Sequence, residues 1–393
     1  MPETELKPHH HHKPTIVLIG GGAAGLWTSM ALLSDGWRGD QLTIVEPSGK
    51  TEDDRTWSYW AKESLFPPEV KQQVFSKIIL ASNGKQQSYD LGAHRYYSVR
   101  SSQFYAYAKE VLAKAGVRWI NAKATNISDK TDSVEVLLSD NSQLVADYIL
   151  DSRPPEIVVP SERFNATLQH FGGWFVKMSA PVFDEEEVVF MDFIEVGEGV
   201  AFFYVIPSSN IESLVEIAVF SENVWEHAQY DDKIKHYIVE KYGAPPAEIK
   251  EREYGVIPMT DQPLWRGSTR RVWNIGTRGG WVQPSSGYAF TRTFRFAKEV
   301  ASNLSRGNPS PWAPSSIQQV FNAVMLSYII DNPEKAGSIF YNLFANNGPS
   351  RTFDFLDEDS SIGQTIRLMW TCPQLPFAGR AIKETVLRIM GTK

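Results

Sequence analysis

Cysteine is almost missing: Cys372 is the only one in 393 residues. A single thiol excludes an internal disulfide and a cysteine-based zinc site, and it suits a reducing compartment. Long apolar runs are missing as well. The most apolar stretch, Val188–Pro207, is broken by Asp192, Glu195 and Glu198, so no segment reads as a membrane span. Excess positive charge is absent. The net charge of −7 argues against a nucleic-acid partner. Residues 1–13 are polar and show no apolar leader core. Their His9–His12 run reads as part of a disordered tail, and no metal site is expected.

Aromatic residues are abundant: 12 Trp, 15 Tyr and 21 Phe. That many rings serve either heavy core packing or a large apolar pocket. The length and a hydrophobic share of 42% fit a globular chain with two intertwined domains.

The chain is organised by its first apolar run. Residues 15–19 read as a buried parallel strand, and a G-x-G-x-x-G follows as Gly20, Gly22 and Gly25. A helix is expected from Leu26 to Leu33 and a second strand over Leu42–Val45, ending at Glu46. In that order the parts form a dinucleotide-binding fingerprint. Gly20 permits the tight turn, Gly22 lets backbone approach a pyrophosphate, and Gly25 lets helix and strand pack closely. The helix N-terminus, with Ala23 and Ala24, offers N–H groups and a positive dipole end to phosphates. Glu46 can accept hydrogen bonds from a ribose. The fingerprint occurs once, so one tightly held dinucleotide, FAD, is inferred, reduced from outside by NAD(P)H if at all.

A helix is expected over Gln103–Gly116, and strands over Tyr96–Val99, Val117–Ile120, 133–138 and Gln143–Leu150. The last two pair as a small antiparallel insert. Further strands are expected over Gly172–Lys177, Val188–Val196, Ala201–Ile206 and Leu214–Phe220, which suggests an antiparallel substrate sheet. A strand from Val272 to Gly276 leads to a second glycine-rich loop, with Gly276, Gly279, Gly280 and Gly287. A helix is expected to begin at Pro284–Ser285, with its N-terminus toward a flavin ring. An amphipathic helix spans Ser315–Ile330. The fold class is α/β: an FAD-binding Rossmann-like (GR2-type) flavoprotein with an antiparallel substrate sheet and a helical C-terminal part. The expected boundaries are a tail over 1–13, an FAD-binding domain over 14–160 plus 250–305, a substrate domain over 161–249 and helices over 306–393.

Two acids stand out. Strand alternation places Leu214, Ala218 and Phe220 on the face of Glu216, with Val215, Ile217 and Val219 opposite. Both faces are apolar, so Glu216 is expected to be buried and protonated, as a general acid must be. Asp192 sits in a similar run. Each acid reads equally as a structural group bonded to backbone or arginine. Their occurrence on two predicted strands read as neighbours points toward function.

Several segments resemble the flavin-dependent lycopene cyclases of bacteria, in the family's order. They are the glycine fingerprint, 55–59, 169–174, Met191–Asp192, 203–207, 214–216, 255–260 and 276–288. The resemblance implies redox-neutral cyclisation of a linear carotenoid end group, with contact to a membrane surface. It places Glu216 at the glutamate of a Leu-Ile-Glu-Asp-Thr-like motif and Asp192 at the aspartate after methionine. The acid that follows the family's glutamate is Ile217 here. Trp57, Trp174, Phe203, Tyr204 and Trp281 are candidate polyene-lining rings, each equally readable as core. The implied location is cytoplasmic, on the inner face of the cell membrane. Basic residues Arg380, Lys383, Arg388 and Lys393 flank the expected contact patch. A flavin monooxygenase or halogenase of the same fold is the second reading, although the halogenase Trp-x-Trp-x-Ile-Pro element is not present at Trp57–Trp60. A flavin- or carotenoid-binding protein without activity is the third.

Overall fold

The computed structural model describes residues 14–155, 161, 163–306, 309–371 and 379. Strand Ile16–Ile19 is buried along its whole length, as its unbroken apolar run requires. It lies at the centre of a five-stranded parallel sheet in the order 272–274, 148–151, 16–19, 42–45, 118–120. Helix Ala23–Ser34 follows the glycine turn and buries Leu26, Trp27 and Leu32. A three-stranded antiparallel insert spans 124–129, 134–138 and 143–146. The strand expected over Gln143–Leu150 is therefore two. It breaks at Asp147, whose carboxylate accepts from the Thr15 amide at 2.7 Å and its hydroxyl at 3.1 Å.

The second large unit is a seven-stranded sheet in the order 248–260, 166–177, 212–221, 200–207, 187–194, 77–82, 85–90. Its pairings are antiparallel except one: Glu187–Ile194 runs parallel to Lys77–Ser82. Strands 77–82, 85–90 and 248–260 belong to this sheet. The sequence boundaries above group 77–90 and most of 248–260 with the dinucleotide part. A further small sheet joins Thr56–Ala61, Arg95–Arg100 and Gln73–Phe75.

The seven-stranded sheet has two different faces. Helix His227–Tyr242 covers one, against Val215, Ile217, Val219 and Phe203. The other carries Leu214, Ala218, Phe220, Phe202 and Tyr204, and packs against helices Ser316–Asp331 and Pro333–Leu356. The second of these bends at Gly348, whose φ of 73° precedes Pro349. Ser315 caps the first, accepting from the Gln318 amide. The helix expected from Ser285 instead starts at Phe290. Gly287 adopts a left-handed φ of 75°, and its amide bonds back to Gln283 O at 2.9 Å, so Pro284–Gly287 is a closed turn.

His170 shows how firmly the sheet interior is tied. It is fully buried. Its Nδ1 lies 2.6 Å from Tyr230 Oη and its Nε2 lies 2.8 Å from Ser221 Oγ. Ser221 donates to Asn223 O, so the chain of donors runs from Tyr230 through a neutral imidazole. Burial pushes the imidazole down to about 4. Below its unfolded value of about 6.5 the unfolded chain binds a proton that the folded chain refuses. Stability is therefore lost as pH falls from about 6.5 to 4, by up to about 3 kcal/mol. Urea midpoints measured across this range should fall more steeply for the natural chain than for His170→Gln.

Candidate active site

The dinucleotide cradle is built from three short segments. Gly20 has a φ of 101°, and a Cβ there would strike Ser152 Oγ at 2.2 Å. Ser152 Oγ donates to Ile19 O at 2.7 Å and closes the turn. A Cβ on Gly25 would meet Gly20 O at 2.0 Å. At Gly22 nothing stands within 4 Å of an added Cβ. Gly22 is the N-cap of helix Ala23–Ser34, without a side-chain cap or an acid in the first turn. An open slot thus faces an uncapped helix end, which is what a pyrophosphate needs. Glu46 accepts from the Gly21 amide at 2.7 Å and from Ser48. The second glycine loop closes against the first, for a Cβ on Gly276 would lie 2.7 Å from Ala24 Cβ. Gly279 and left-handed Gly280 follow in the same loop, Pro284 shares the lining of a small cavity with Gly280, and Gly287 is pressed against Gln169. The open slot and the uncapped helix end fit FAD. The part expected to be a second helix N-terminus is the Pro284–Gly287 turn.

The acid site lies on the helix-covered face opposite helix His227–Tyr242. Sheet register sets Glu253, Gly173, Glu216 and Tyr204 side by side across four strands. Gly173 has no side chain to separate its neighbours. An added Cβ would sit 3.3 Å from Glu216 Cβ and 3.3 Å from Glu253 Cγ. The two carboxyl groups are hydrogen-bonded to each other. Glu216 lies deep in the protein yet keeps some accessible surface. Burial first, and the charge of Glu253 second, hold its carboxyl well above the usual range, so it is protonated and donates. Burial also raises Glu253, against the lowering effects of Glu216, Arg100 and Thr56.

Rings surround this pair. Tyr204 Oη lies 3.1 Å from Tyr288 Oη, and burial pushes both phenols far up. Trp60 meets Tyr288 edge-on at 4.5 Å and stacks on Phe353 at 4.5 Å. Tyr96, fully buried, meets Phe190 edge-on at 5.6 Å. Between the C-terminal helices a cavity of about 380 Å3 is lined by Ile317, Phe321, Met325, Phe355 and Ile362. Gln283 and Ser285, from the second glycine-rich loop, are also on its wall.

Not every candidate comes together here. Asp192 lies on the other face of the sheet, where Tyr237 Oη donates to it at 3.0 Å and Lys241 Nζ at 3.2 Å. Strand 200–207 separates its strand from that of Glu216, so the two are not neighbours. Trp174 and Phe203 share that far face. Trp174 Nε1 donates to Asp231 at 2.7 Å, and Phe203 stacks on Tyr237 at 3.9 Å. Trp57 stacks on Phe290 at 5.2 Å within the core under the dinucleotide sheet. Trp281 is wholly buried in that same core. Of the five candidate rings only Tyr204 shares the face of Glu216. Sequence reasoning passed over Glu253, Trp60, Tyr96 and Tyr288. The signal for Glu253 was an acid in an alternating strand, legible only once Gly173 is known to lie between the acids.

The fold and cradle define a flavoprotein with an FAD-binding Rossmann-like domain, a substrate sheet and C-terminal helices. A flavoprotein/dehydrogenase from Cytophaga hutchinsonii shares this fold, with a TM-score of 0.62 and 13% identity over 97% of this chain and 100% of its own. So does a flavin-dependent brominase, at 0.60 and 13%, covering 90% and 97%. Residues 15–377 match the family described as lycopene cyclase protein. The chain therefore belongs to the lycopene cyclase family. It is 29% identical over 218 residues to a chloroplastic lycopene beta cyclase of Arabidopsis thaliana, a match that spans 50% of this chain and 42% of that relative.

Two glycines separate cofactor binding from folding. Gly22→Val should leave the fold intact and weaken FAD binding at least tenfold, read by flavin fluorescence. Gly25→Ala should lower stability by about 1–3 kcal/mol in urea titration, because its methyl meets a backbone carbonyl.

Proposed function

We propose that this chain cyclises the linear ψ-end of a carotenoid such as lycopene to a β-ring, without net redox change. The supporting observation is the protonated, ring-surrounded carboxyl of Glu216 in a chain of the lycopene cyclase family. Glu216 delivers its proton to the terminal double bond, and the neighbouring double bond closes a six-membered ring. A tertiary carbocation results, and loss of a proton from carbon sets the final double bond. Tyr96, Tyr204 and Tyr288 present ring faces and dipoles to such a cation in a dry interior. Reduced FAD in the glycine cradle would supply negative charge without being consumed, and an external NAD(P)H-linked donor would keep it reduced. Asp192, on the far face, holds the sheet to Tyr237 and Lys241.

A polyene cannot be gathered from water, so its source is a lipid surface. No helix among the described residues is long and apolar enough to cross a membrane. Ile362 and Ile366, one turn apart, are 59% and 47% exposed, and Ile362 also lines the cavity between the helices. Peripheral lipid contact at this helix brings the polyene to that cavity. The basic patch Arg380, Lys383, Arg388 and Lys393 lies outside the described residues.

In a lycopene-accumulating host the natural chain should form β-carotene, and Glu216→Gln should retain FAD yet form less than about one hundredth as much, by pigment chromatography. Equal yield from both would refute the role of Glu216. A monooxygenase would consume oxygen with product, whereas cyclisation should proceed anaerobically once the flavin is reduced. In liposome co-sedimentation, Ile362→Asp with Ile366→Asp should reduce the bound fraction severalfold.

A further inference from the structure

Glu253 occupies a position between the buried acid and the protein surface. Its strand, Glu248–Thr260, is the outer strand of the seven-stranded sheet. On its inner side it meets Glu216 across Gly173. On its outer side it accepts from Thr56 Oγ1 at 3.1 Å. Thr56 in turn accepts from Arg100 Nη1 at 3.2 Å. Arg100 is held by both oxygens of Glu251, at 2.8 and 2.6 Å, and by Asp53 at 3.2 Å. Its side chain is 22% exposed and that of Glu251 41%. Polar contacts therefore run unbroken from Glu216 to water at the sheet edge, through a region otherwise lined by rings.

We infer that Glu253 is the positioning partner of Glu216: it holds that acid's proton across Gly173 and reloads it from water through Thr56. Two carboxylates this close resist ionising together, so at rest the pair holds one proton. When Glu216 gives up its proton, its O–H bond breaks and the pair is left doubly charged. The pair is then a strong base. It regains a proton either from the carbocation, whose C–H electrons become the ring double bond, or from the Thr56 hydroxyl. In the second case Thr56 Oγ–H breaks as Glu253 O–H forms, water gives a proton to Thr56, Glu253 passes its proton to Glu216, and the proton lost from the carbocation is released to solvent, so that none is gained or lost overall. Arg100 stays charged and orients Thr56. The groups facing the pair are Tyr96 and Tyr204 on one side, and Thr56, Arg100 and Glu251 on the other. This inference rests on the proposed function for its purpose, but its test needs no carotenoid.

The infrared carbonyl band of a protonated carboxyl group reports Glu216 directly, and it is assigned by its loss in Glu216→Gln. In the FAD-loaded protein, Glu253→Gln should lower the pH midpoint of this band by a unit or more, because the neighbouring charge is removed. Thr56→Val should leave the midpoint in place and slow the band's shift on transfer to deuterated water at least tenfold. A Glu253 that lends only its charge would move the midpoint but leave the exchange rate in Thr56→Val as in the natural chain. An unchanged midpoint in Glu253→Gln, or an unchanged exchange rate in Thr56→Val, overturns the inference. Should Glu253→Gln not fold, Thr56→Val decides alone. Absence of cyclised product in the natural chain, with both infrared effects present, refutes the carotenoid reading and leaves the acid pair standing.

Discussion

A carboxyl group removed from water and set beside a second carboxyl retains its proton, and the acid site depends on that constraint. It is imposed by the backbone. Gly173 brings Glu216 and Glu253 together by having nothing between them, and three strands hold the register. The rings of Tyr96, Tyr204 and Tyr288 keep the interior dry and offer no charge of their own. Acidity here is a product of sheet geometry, with the side chains serving it.

The dinucleotide part was legible because its requirements are local. Gly20 and Gly25 each meet a steric demand within a few residues or in an adjacent loop, Gly22 leaves an open slot between them, and the helix they start follows at once. The four strands of the substrate sheet read from apolar runs are present; three are longer than the pattern suggested, and the one expected over Val188–Val196 is Glu187–Ile194, ending two residues earlier. Alternation also assigned the two faces around Glu216 correctly, because a strand has a period of two.

What was not legible depends on pairing between distant segments. Strand 248–260 is rich in charge and is not among the strands expected from apolar runs, yet it pairs along the whole of 166–177. The turn at Pro284–Gly287 carries a proline and serines that suit a helix start. The left-handed Gly287, pressed against Gln169, overrides that preference. Asp192 and Glu216 occur in similar apolar strands, but Val200–Pro207 between them and the opposite direction of their side chains separate their surroundings. Trp57 and Trp60, three residues apart on one strand and so on opposite faces, look alike in sequence and serve different cores.

The one parallel pairing of the seven-stranded sheet, between Lys77–Ser82 and Glu187–Ile194, has a consequence for biogenesis. The sheet that carries the acid pair joins the early hairpin 77–90 to strands between 166 and 260, across about 75 intervening residues. During translation the strands at 77–90 must wait on the ribosome until residue 194 has emerged, and the outer strand waits until 260. Sequence-distant pairing of this kind folds slowly and leaves apolar edges bare meanwhile. A nascent chain of this protein should therefore lean on chaperones until its last strand docks.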